Sequence, residues 1–367
     1  MSDRLSVRPG AVNAHTHLYS GLAPLDMPAP PRTPRDFLEI LELVWWRLDR
    51  ALDEATLRAS ARLYLAEALL AGTTTVIDHH ESPNFIEGSL DVLAEEAEAL
   101  GVRLAVTYGA TERNGGAEEA RRGLAECARF IARARGSSLV RGLVGLHASF
   151  TVSDDTIRRA GELARELDVG LHVHVAEDRA DVDDAKRRGY AGPLERLVAL
   201  DALPPKSIVA HGVWLDEAQV RAATERGAWL VQNPRSNAGN RVGYPQALHA
   251  SSRVAVGTDG YPADLEVEHA ALFSHAREQR DPASPGALAL RCTTGHRLAL
   301  ELFGASVEGD IACGAPGAPP SLVVVDGRPV VRDGALVHGD LEAIRAHARE
   351  QARVLFSRLP PPTPFGK

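Results

Sequence analysis

Two pairs of histidines have a spacing that could carry chemistry. His15 and His17 form one His-x-His pair, and His172 and His174 form another. Alternate residues of a β-strand point to the same side, so the two imidazoles of a pair can converge on one metal ion if the segment is a strand. A solvent-facing loop or a half-buried strand would also produce this spacing. Each pair alone is therefore a weak indication of a metal site.

Further acidic and imidazole side chains follow apolar segments elsewhere in the chain. Glu177 comes three residues after His174, His211 lies in the apolar run 207–213, and Asp259 ends the run 253–259. One such residue is usually structural, but several at the ends of successive strands would meet at one edge of a sheet. Imidazoles with a carboxylate are a ligand set expected for zinc, with iron or another divalent transition metal also possible.

These residues need a scaffold that brings strand ends together, and the apolar pattern predicts one. Short apolar runs alternate with helical patterns from residue 11 to residue 259, which gives eight βα-like units. Strands that alternate with helices predict a parallel sheet, and eight units in this length predict an α/β fold of the closed (β/α)8 barrel type. In such barrels the active site lies at the carboxyl ends of the strands.

The pattern changes after residue 259. Two helices are predicted at 266–278 and 286–303, followed by a Gly- and Pro-rich loop at 309–320. Asp-Gly pairs at 326–327 and 333–334 predict turns between short strands at 321–326, 327–333 and 335–338. A helix at 341–359 and a Pro-rich tail, which we expect to fray, complete the chain. The predicted organisation is a barrel at 9–303, a reduced small β unit at 304–340, and a C-terminal helix with its tail at 341–367.

Composition narrows the class of protein. The chain has 367 residues, a net charge of −8 and 44% hydrophobic residues, which is typical of a globular protein and argues against a nucleic-acid partner. No apolar run is long enough for a membrane span, and residues 1–10 lack the apolar core of a secretory leader. The three cysteines, Cys127, Cys292 and Cys313, are widely spaced and favour a reducing cytoplasm. No phosphate-binding Gly-rich loop or nicotinamide fingerprint is present.

The candidate metal-binding and acidic residues, with the residues around them, form motifs that resemble those of a known family. The amidohydrolase superfamily, in its mononuclear aminohydrolase branch, is indicated by Asn13-Ala14-His15-Thr16-His17, His174-x-x-Glu177, His211 and Thr258-Asp259. A smaller group within this superfamily is resembled more specifically, the SsnA-type aminohydrolases, which are relatives of guanine deaminase and the triazine chlorohydrolases. The segments that resemble this group include Trp45-Trp46, Asp78-His79-His80 and Arg235-Ser236-Asn237. The likeness extends from residue 9 to about residue 303.

The resemblance implies roles for individual residues. It implies one divalent metal ion, zinc before other metals, with His15, His17, His174 and Asp259 as its ligands. Glu177 would shuttle protons as a catalytic residue. His211, with Asp259, would polarise the attacking water or the substrate. Related dinuclear enzymes place a carboxylated Lys on the fourth strand. That strand here carries His147 and no Lys, which favours a single ion. His172 would support or pack against the site.

Several residues are candidates for binding the substrate. They are His147, Trp46, His80, Asn233, Arg235 and Asn237. Trp46 either packs in the core or forms an aromatic wall over a planar substrate. One of His79 and His80 faces the pocket. The segment 233–237 either binds a polar or anionic substrate or closes a loop with Asn and Ser turns.

The implied reaction is the hydrolytic deamination of a small molecule, an aminated N-heterocycle such as a purine, pterin or pyrimidine. A chloride leaving group, an acyclic amidine or imine, and a protein without activity are the alternatives. Members of the family usually carry further strands of a small β-sandwich before the first barrel strand. We therefore expect a reduced remnant of that sandwich, whose exposed edges favour a homodimer or higher homo-oligomer.

Overall fold

The computed structural model describes residues 6–315 and 317–365. The predictions for the first residues of the chain and for the end of the tail lie partly outside these ranges. The strands are β1 (Ser6–Pro9), β2 (Ala11–Thr16), β3 (Thr73–His80), β4 (Arg103–Tyr108), β5 (Val140–Gly142), β6 (Val144–Ala148), β7 (Leu171–Val175), β8 (Ile208–His211), β9 (Trp229–Gln232), β10 (Val254–Val256), β11 (Ile311–Gly314), β12 (Leu322–Val325), β13 (Arg328–Arg332) and β14 (Ala335–Leu336).

The α-helices lie mainly between the parallel strands and after them. They are α1 (Phe37–Ile40), α2 (Trp46–Ala51), α3 (Glu54–Leu70), α4 (Ser89–Leu100), α5 (Ala117–Arg133), α6 (Asp154–Leu167), α7 (Arg179–Arg187), α8 (Pro193–Ala199), α9 (Glu217–Glu225), α10 (Pro234–Gly239), α11 (Leu265–Glu278), α12 (Pro285–Phe303) and α13 (Leu341–Ser357). Asp53 and Asp216 begin α3 and α9 with capping boxes, in which each Asp accepts from a backbone N–H three residues later. The helical region 37–51 contains a π-helical segment at Leu41–Trp45.

Parallel strands form two sheets whose edges meet. One sheet has the order β2-β3-β4-β5 and the other β10-β9-β8-β7-β6. At one seam Thr16 and Asp259 form a parallel bridge, and at the other seam Ala110 and Leu146 do the same. β5 and β6 follow one another within residues 140–148 and belong to different sheets. The predicted (β/α)8 class is confirmed.

Burial on both faces explains why the barrel strands are such continuous apolar runs. All eight residues of β3 and all five of β7 are buried. Inside the barrel, Val12, Ile77 and Trp229 belong to one buried cluster. The polar residues at the strand ends are exceptions to this pattern, and they mark the site.

A small antiparallel sheet lies beside the barrel, in the order β1-β11-β12-β13-β14. Its later strands coincide with the predicted short strands, but β1 and β11 were not predicted. The prediction of a loop across 309–320 is therefore wrong at Ile311–Gly314. Both missed strands have four residues and pair with each other, Ser6 opposite Gly314, across the length of the chain. Such a non-local pairing leaves little trace in local sequence.

The C-terminal tail does not fray as far as Phe365. It runs along α2, where the Arg47 Nε donates to the carbonyl of Pro360 at 2.7 Å. The backbone N–H of Phe365 donates to the Glu42 carboxylate at 2.6 Å. The Arg47 guanidinium and the Glu42 carboxylate thus hold the tail. The prolines of the tail have no backbone N–H, so it has few hydrogen-bond donors. Within the described residues, no helix is long and apolar enough to cross a membrane.

Candidate active site

The predicted His and Asp residues meet at the carboxyl ends of the barrel strands. His15 lies in β2, His17 directly follows that strand, His174 lies in β7 and His211 ends β8, while Asp259 follows β10. All five are buried. The backbone is strained here, because His211 (φ 72°) and Asp259 (φ 53°) adopt left-handed conformations. Non-glycine residues in this region cluster at functional sites.

The side chains converge through their Nε2 atoms and one carboxylate. Asp259 Oδ1 lies 3.1 Å from His15 Nε2 and 2.9 Å from His17 Nε2. His17 Nε2 lies 3.3 Å from His174 Nε2. Ligand atoms of His15, His174, His211 and Asp259 all lie within 4.8 Å of one another. The predicted ligands are therefore brought together, and His211 lies at the edge of the same group.

The opposite nitrogen of each ring holds it in place. His17 Nδ1 donates to the carbonyl of His79 and His174 Nδ1 to the carbonyl of His147, each at 2.6 Å. His15 Nδ1 pairs with His172 Nε2 at 2.9 Å, so His172 supports the site. Orienting contacts of this kind, with Nδ1 bonded and Nε2 free, are typical of histidines that bind metals.

This arrangement leaves acceptors facing one another. Because His17 and His174 donate through Nδ1, both rings, when neutral, turn their Nε2 lone pairs toward each other and toward the Asp259 carboxylate. Burial lowers the pKa of His17, but Asp259 outweighs it and raises that pKa to about 10, so a positive charge is favoured at this point. Burial holds the pKa of His15 at about 3 and that of His174 well below its ordinary value. The residues fit a metal cation, which would satisfy all of these lone pairs.

Glu177 and His211 lie beside this group. The Glu177 side chain is 12% exposed, and its Oε2 lies 3.5 Å from His211 Nε2. Burial and the neighbouring Asp259 carboxylate raise the pKa of Glu177 well above its ordinary value. His211 Nδ1 donates to Asn237 Oδ1 at 2.8 Å, and Nε2 faces the site with the Asn233 amide nitrogen 3.4 Å away. Burial lowers the pKa of His211, which favours its neutral form. Neither side chain is tied up in a structural ion pair.

A hydroxyl network that the sequence did not indicate supports Asp259. The Tyr64 hydroxyl lies 2.6 Å from the Thr258 hydroxyl and 2.8 Å from that of Thr16. Ser236 donates to the second oxygen of Asp259. Tyr64 lies on α3, far away in sequence, so no local signal marked it. Ser236 thus holds the carboxylate, while Thr16 donates to the backbone carbonyl of Asp259 at 2.9 Å.

A second carboxylate, Glu81, was also missed. It directly follows the Asp78-His79-His80 segment and is 2% exposed. Its Oε1 lies 2.9 Å from His79 Nδ1, while His79 Nε2 donates to the Leu146 carbonyl at 3.0 Å. Burial alone would raise the pKa of Glu81, but the contact with His79 and the neighbouring histidines outweigh burial. The net effect is a pKa below the ordinary value. The sequence signal that could have identified Glu81 is its position directly after the Asp78-His79-His80 segment, at a strand end.

The site opens into a partly enclosed pocket. One side is apolar, and the other carries three of the four candidate ligands, His17, His174 and Asp259, together with further polar side chains that include Glu81 and Glu177. The apolar side consists of Phe37, Leu41, Trp45, Trp46 and Phe150. Trp46 follows the π-helical segment, a feature that is frequent at functional sites. Of the predicted substrate-binding residues, Trp46 and His147 line the pocket.

The other predicted substrate-binding residues lie elsewhere. His80 Nε2 bonds to the Ser82 hydroxyl at 2.7 Å, away from the pocket. Asn233 and Asn237 contact the His211 ring instead. Arg235 forms an ion pair with the fully buried Glu268 and donates to the carbonyl of Pro262. For His80 and Arg235 local packing decided the orientation, which sequence spacing does not reveal.

Comparison with known proteins agrees with this geometry. The model of the amidohydrolase family matches residues 6–349. The chain belongs to the amidohydrolase family. This amidohydrolase is 29% identical, over 96% of its length and 87% of the relative's, to a 5'-deoxyadenosine deaminase of Methanopyrus kandleri. It is 30% identical, over 85% of its length and 73% of the relative's, to an 8-oxoguanine deaminase of Pseudomonas aeruginosa.

A solved structure is similar over most of the amidohydrolase chain. It is an adenosine deaminase from Xanthomonas campestris with bound zinc, with a TM-score of 0.81 and 25% identity, covering 96% of this chain and 86% of that chain. The predicted family is confirmed, and so is the prediction of a hydrolase that acts on non-peptide C–N bonds. The His and Asp cluster is capable of binding a metal ion.

Proposed function

We propose that this amidohydrolase is a hydrolytic deaminase with one zinc ion, which replaces the amino group of an N-heterocycle by oxygen and releases ammonia. The observation that carries the proposal is the group of buried acceptors formed by His17, His174 and Asp259, with the Glu177 carboxyl beside it. The relatives named as deaminases and the zinc-bound neighbour support it.

His15, His17, His174 and Asp259 would hold the ion. Bound zinc supplies Lewis acidity and lowers the pKa of water from 15.7 toward ~7, which makes hydroxide available near neutral pH. The chain's own contribution is to fix the four donors in advance. The carbonyls of His79 and His147 and the ring of His172 hold three of the imidazoles.

Glu177 would carry the protons of the reaction. A carboxyl group with a raised pKa is suited both to accept a proton from the attacking water and to return it to the ring nitrogen of the substrate. The carbon–oxygen bond then forms and the carbon–nitrogen bond breaks, with the amine leaving as ammonia after a second proton transfer. Water and substrate thus account for every atom of the two products.

His211 would orient the reacting oxygen. Its Nδ1–H is committed to Asn237, so the ring keeps one tautomer with Nε2 as an acceptor 3.5 Å from Glu177 and 3.8 Å from Asp259. An acceptor in this place would hold the attacking water by its hydrogen while Glu177 takes the proton.

The substrate would be neutral or cationic rather than anionic. Among the described residues no Lys or Arg lines the pocket, whereas five carboxylates do: Glu81, Glu177, Asp178, Asp181 and Asp259. The nearby cations are engaged, because Arg113 pairs with the buried Asp49 and Arg235 pairs with Glu268. A desolvated phosphate or carboxylate remote from the metal would find no lysine or arginine side chain to pair with here. The flat apolar side suits a planar heterocycle with an uncharged substituent.

Ammonia release from a matched panel of heterocycles tests the proposal. The panel pairs adenosine with its 5'-phosphate and includes guanine, 8-oxoguanine, a pterin, cytosine, an amidine and a chlorotriazine. We expect neutral aminopurines or their nucleosides to release ammonia, and the phosphate to be a poorer substrate by at least about tenfold in kcat/KM. Chloride release without ammonia, or turnover of the amidine alone, would support the alternatives. Equal turnover of the phosphate would contradict the charge argument.

We also propose a homo-oligomer, with the dimer first, and a reducing cytoplasmic setting. Strand β1 is an edge strand whose Val7 is 66% exposed, and sheet edges favour pairing or cover. Cys127, Cys292 and Cys313 are all free thiols. Light scattering at micromolar concentration checks the assembly, and a strict monomer would contradict it.

A further inference from the structure

The C-terminal tail, defined as residues 360–365, lies on the outer side of the pocket's aromatic wall. Arg47 and Arg50 of α2 donate to the carbonyl of Pro360 at 2.7 Å and to the hydroxyl of Thr363 at 2.6 Å. The Glu42 carboxylate accepts the backbone N–H of Phe365. Three polar contacts from one helical segment thus deliver a single aromatic ring to a defined place.

That ring contacts two side chains that line the pocket. The Phe365 ring centroid lies 5.4 Å from that of Trp46, with the planes inclined by 58°. It lies 5.7 Å from that of Phe150, with the planes at 90°. Both are geometries that aromatic pairs favour. Phe365 itself does not line the pocket, so any effect on a bound molecule must pass through Trp46 and Phe150.

Trp46 depends on such packing for its orientation. Its indole Nε1 is buried, and within the described residues no hydrogen-bond partner fixes it. The ring is held by the guanidinium of Arg113, 5.0 Å from its centroid, by His147 at 6.0 Å and by Phe365. Arg113 is in turn fixed by Asp49, and Phe365 is the contact that the C-terminal tail contributes.

We propose that the C-terminal tail is a working part of the substrate pocket, in which Phe365 positions Trp46 as the wall against which the substrate ring lies. This inference rests on the proposed function for its kinetic consequence. Phe365 is a positioning residue, since it touches neither the metal ligands nor Glu177. It affects how well a planar substrate is held rather than how fast the bound substrate reacts.

Kinetics of ammonia release with the best neutral substrate of the panel test the role of Phe365. Phe365→Ala should raise KM about three- to tenfold, the scale of one aromatic contact, with kcat within about twofold and metal content unchanged. Phe365→Trp should restore KM in large part. Thr363→Val, which removes the hydroxyl that Arg50 contacts but keeps the ring and the Arg50 contact with the Pro361 carbonyl, is the matched control and should leave KM within about twofold.

Fluorescence provides a readout that needs no substrate. The emission of Trp46 is obtained as the difference between each protein and the same protein with Trp46→Phe. In Phe365→Ala, and in a chain ended after Leu359, this emission should shift to the red and become more accessible to acrylamide, while Thr363→Val should change neither. If no compound is turned over, the proposed function fails and the fluorescence alone decides the role of the tail. Unchanged Trp46 emission, or an unchanged KM with only a lower melting temperature, would overturn the proposal.

Discussion

The two ring nitrogens of each histidine at the centre of the site have different roles. One nitrogen meets a backbone carbonyl, an amide or another ring, and the other is left free toward Asp259. The spacing of His15, His17 and His174 was visible in the sequence because alternate residues share a strand face. Their partners were not, because backbone carbonyls of His79 and His147 carry no residue-specific signal.

At the same scale, Glu177→Gln separates proton transfer from metal binding. Glutamine keeps the shape of the side chain but has no exchangeable carboxyl proton, so turnover should fall by ~10²-fold or more, the scale of a general acid–base. Metal content should stay the same as in the unmodified protein, measured by elemental analysis. Loss of the metal would make Glu177 a ligand, and full activity would transfer its role to another group.

The role of Asp259 illustrates what sequence could and could not supply. Its position at a strand end, together with the histidines, was sufficient to predict a shared site. Ser236 contacts its carboxylate, and Thr16, which Tyr64 holds, contacts its backbone carbonyl; these contacts depend on packing between elements that are far apart in the chain. Arg235 shows the reverse, because a residue with the right chemistry in the right segment is drawn away by the buried Glu268.

At the scale of elements, the loop after β7 depends on a buried acid. Asp181 at the start of α7 is 3% exposed and accepts the backbone N–H of Ala176 at 2.8 Å. Ala176 has a φ of 50°, and Glu177 follows it. Burial raises the pKa of Asp181 from 3.8 to about 7. Asp181 is thus part of the turn that delivers the proposed proton carrier.

This pKa makes a prediction about stability and pH. The folded state holds the Asp181 proton more tightly than the unfolded state, so this residue costs stability as pH rises from about 4 to about 7. The side chain in Asp181→Asn cannot ionise. The stability of this variant relative to the unmodified protein should therefore increase as pH rises across that window. Urea unfolding gives the free energy of unfolding of the variant minus that of the unmodified protein. This difference should be about 2–4 kcal/mol larger at pH 8 than at pH 4.5. A difference that does not vary with pH would contradict the assignment.

The barrel elements were predictable, and the short strands were not. Long apolar runs such as β3 are buried on both faces, so their type follows from composition alone. β1 and β11 are stabilised by each other and by the small sheet, which a local pattern does not reveal. The docking of the tail on α2 likewise depends on the positions of Arg47 and Glu42 in the folded protein.

At the scale of the whole molecule, one buried ion pair joins the barrel to the small sheet. Arg103 begins β4, and Asp310 directly precedes β11; both side chains are fully buried. The guanidinium contacts the two carboxylate oxygens at 2.6 and 3.0 Å. Asp310 also accepts the backbone N–H of Asp326. The pair therefore fixes the position of both parts.

Breaking this pair should cost more than a surface pair does. Arg103→Met leaves the Asp310 charge buried, and we expect a loss of about 3–5 kcal/mol in the free energy of unfolding. Arg121→Met, which removes an exposed pair with Glu118, is the control and should change it by less than about 1 kcal/mol. Equal effects in urea unfolding would show that the buried pair is not a structural joint.

The central claim is that the histidine and aspartate cluster holds one metal ion on which deamination depends. The most direct measurement is a titration of the chelator-treated protein with zinc, in which bound metal and ammonia release are followed together. The account predicts that activity is absent without metal, rises with added zinc and reaches a plateau at about one ion per chain, and that His174→Ala has no tight site. Full activity in the metal-free protein, or a plateau at two ions per chain, would contradict it.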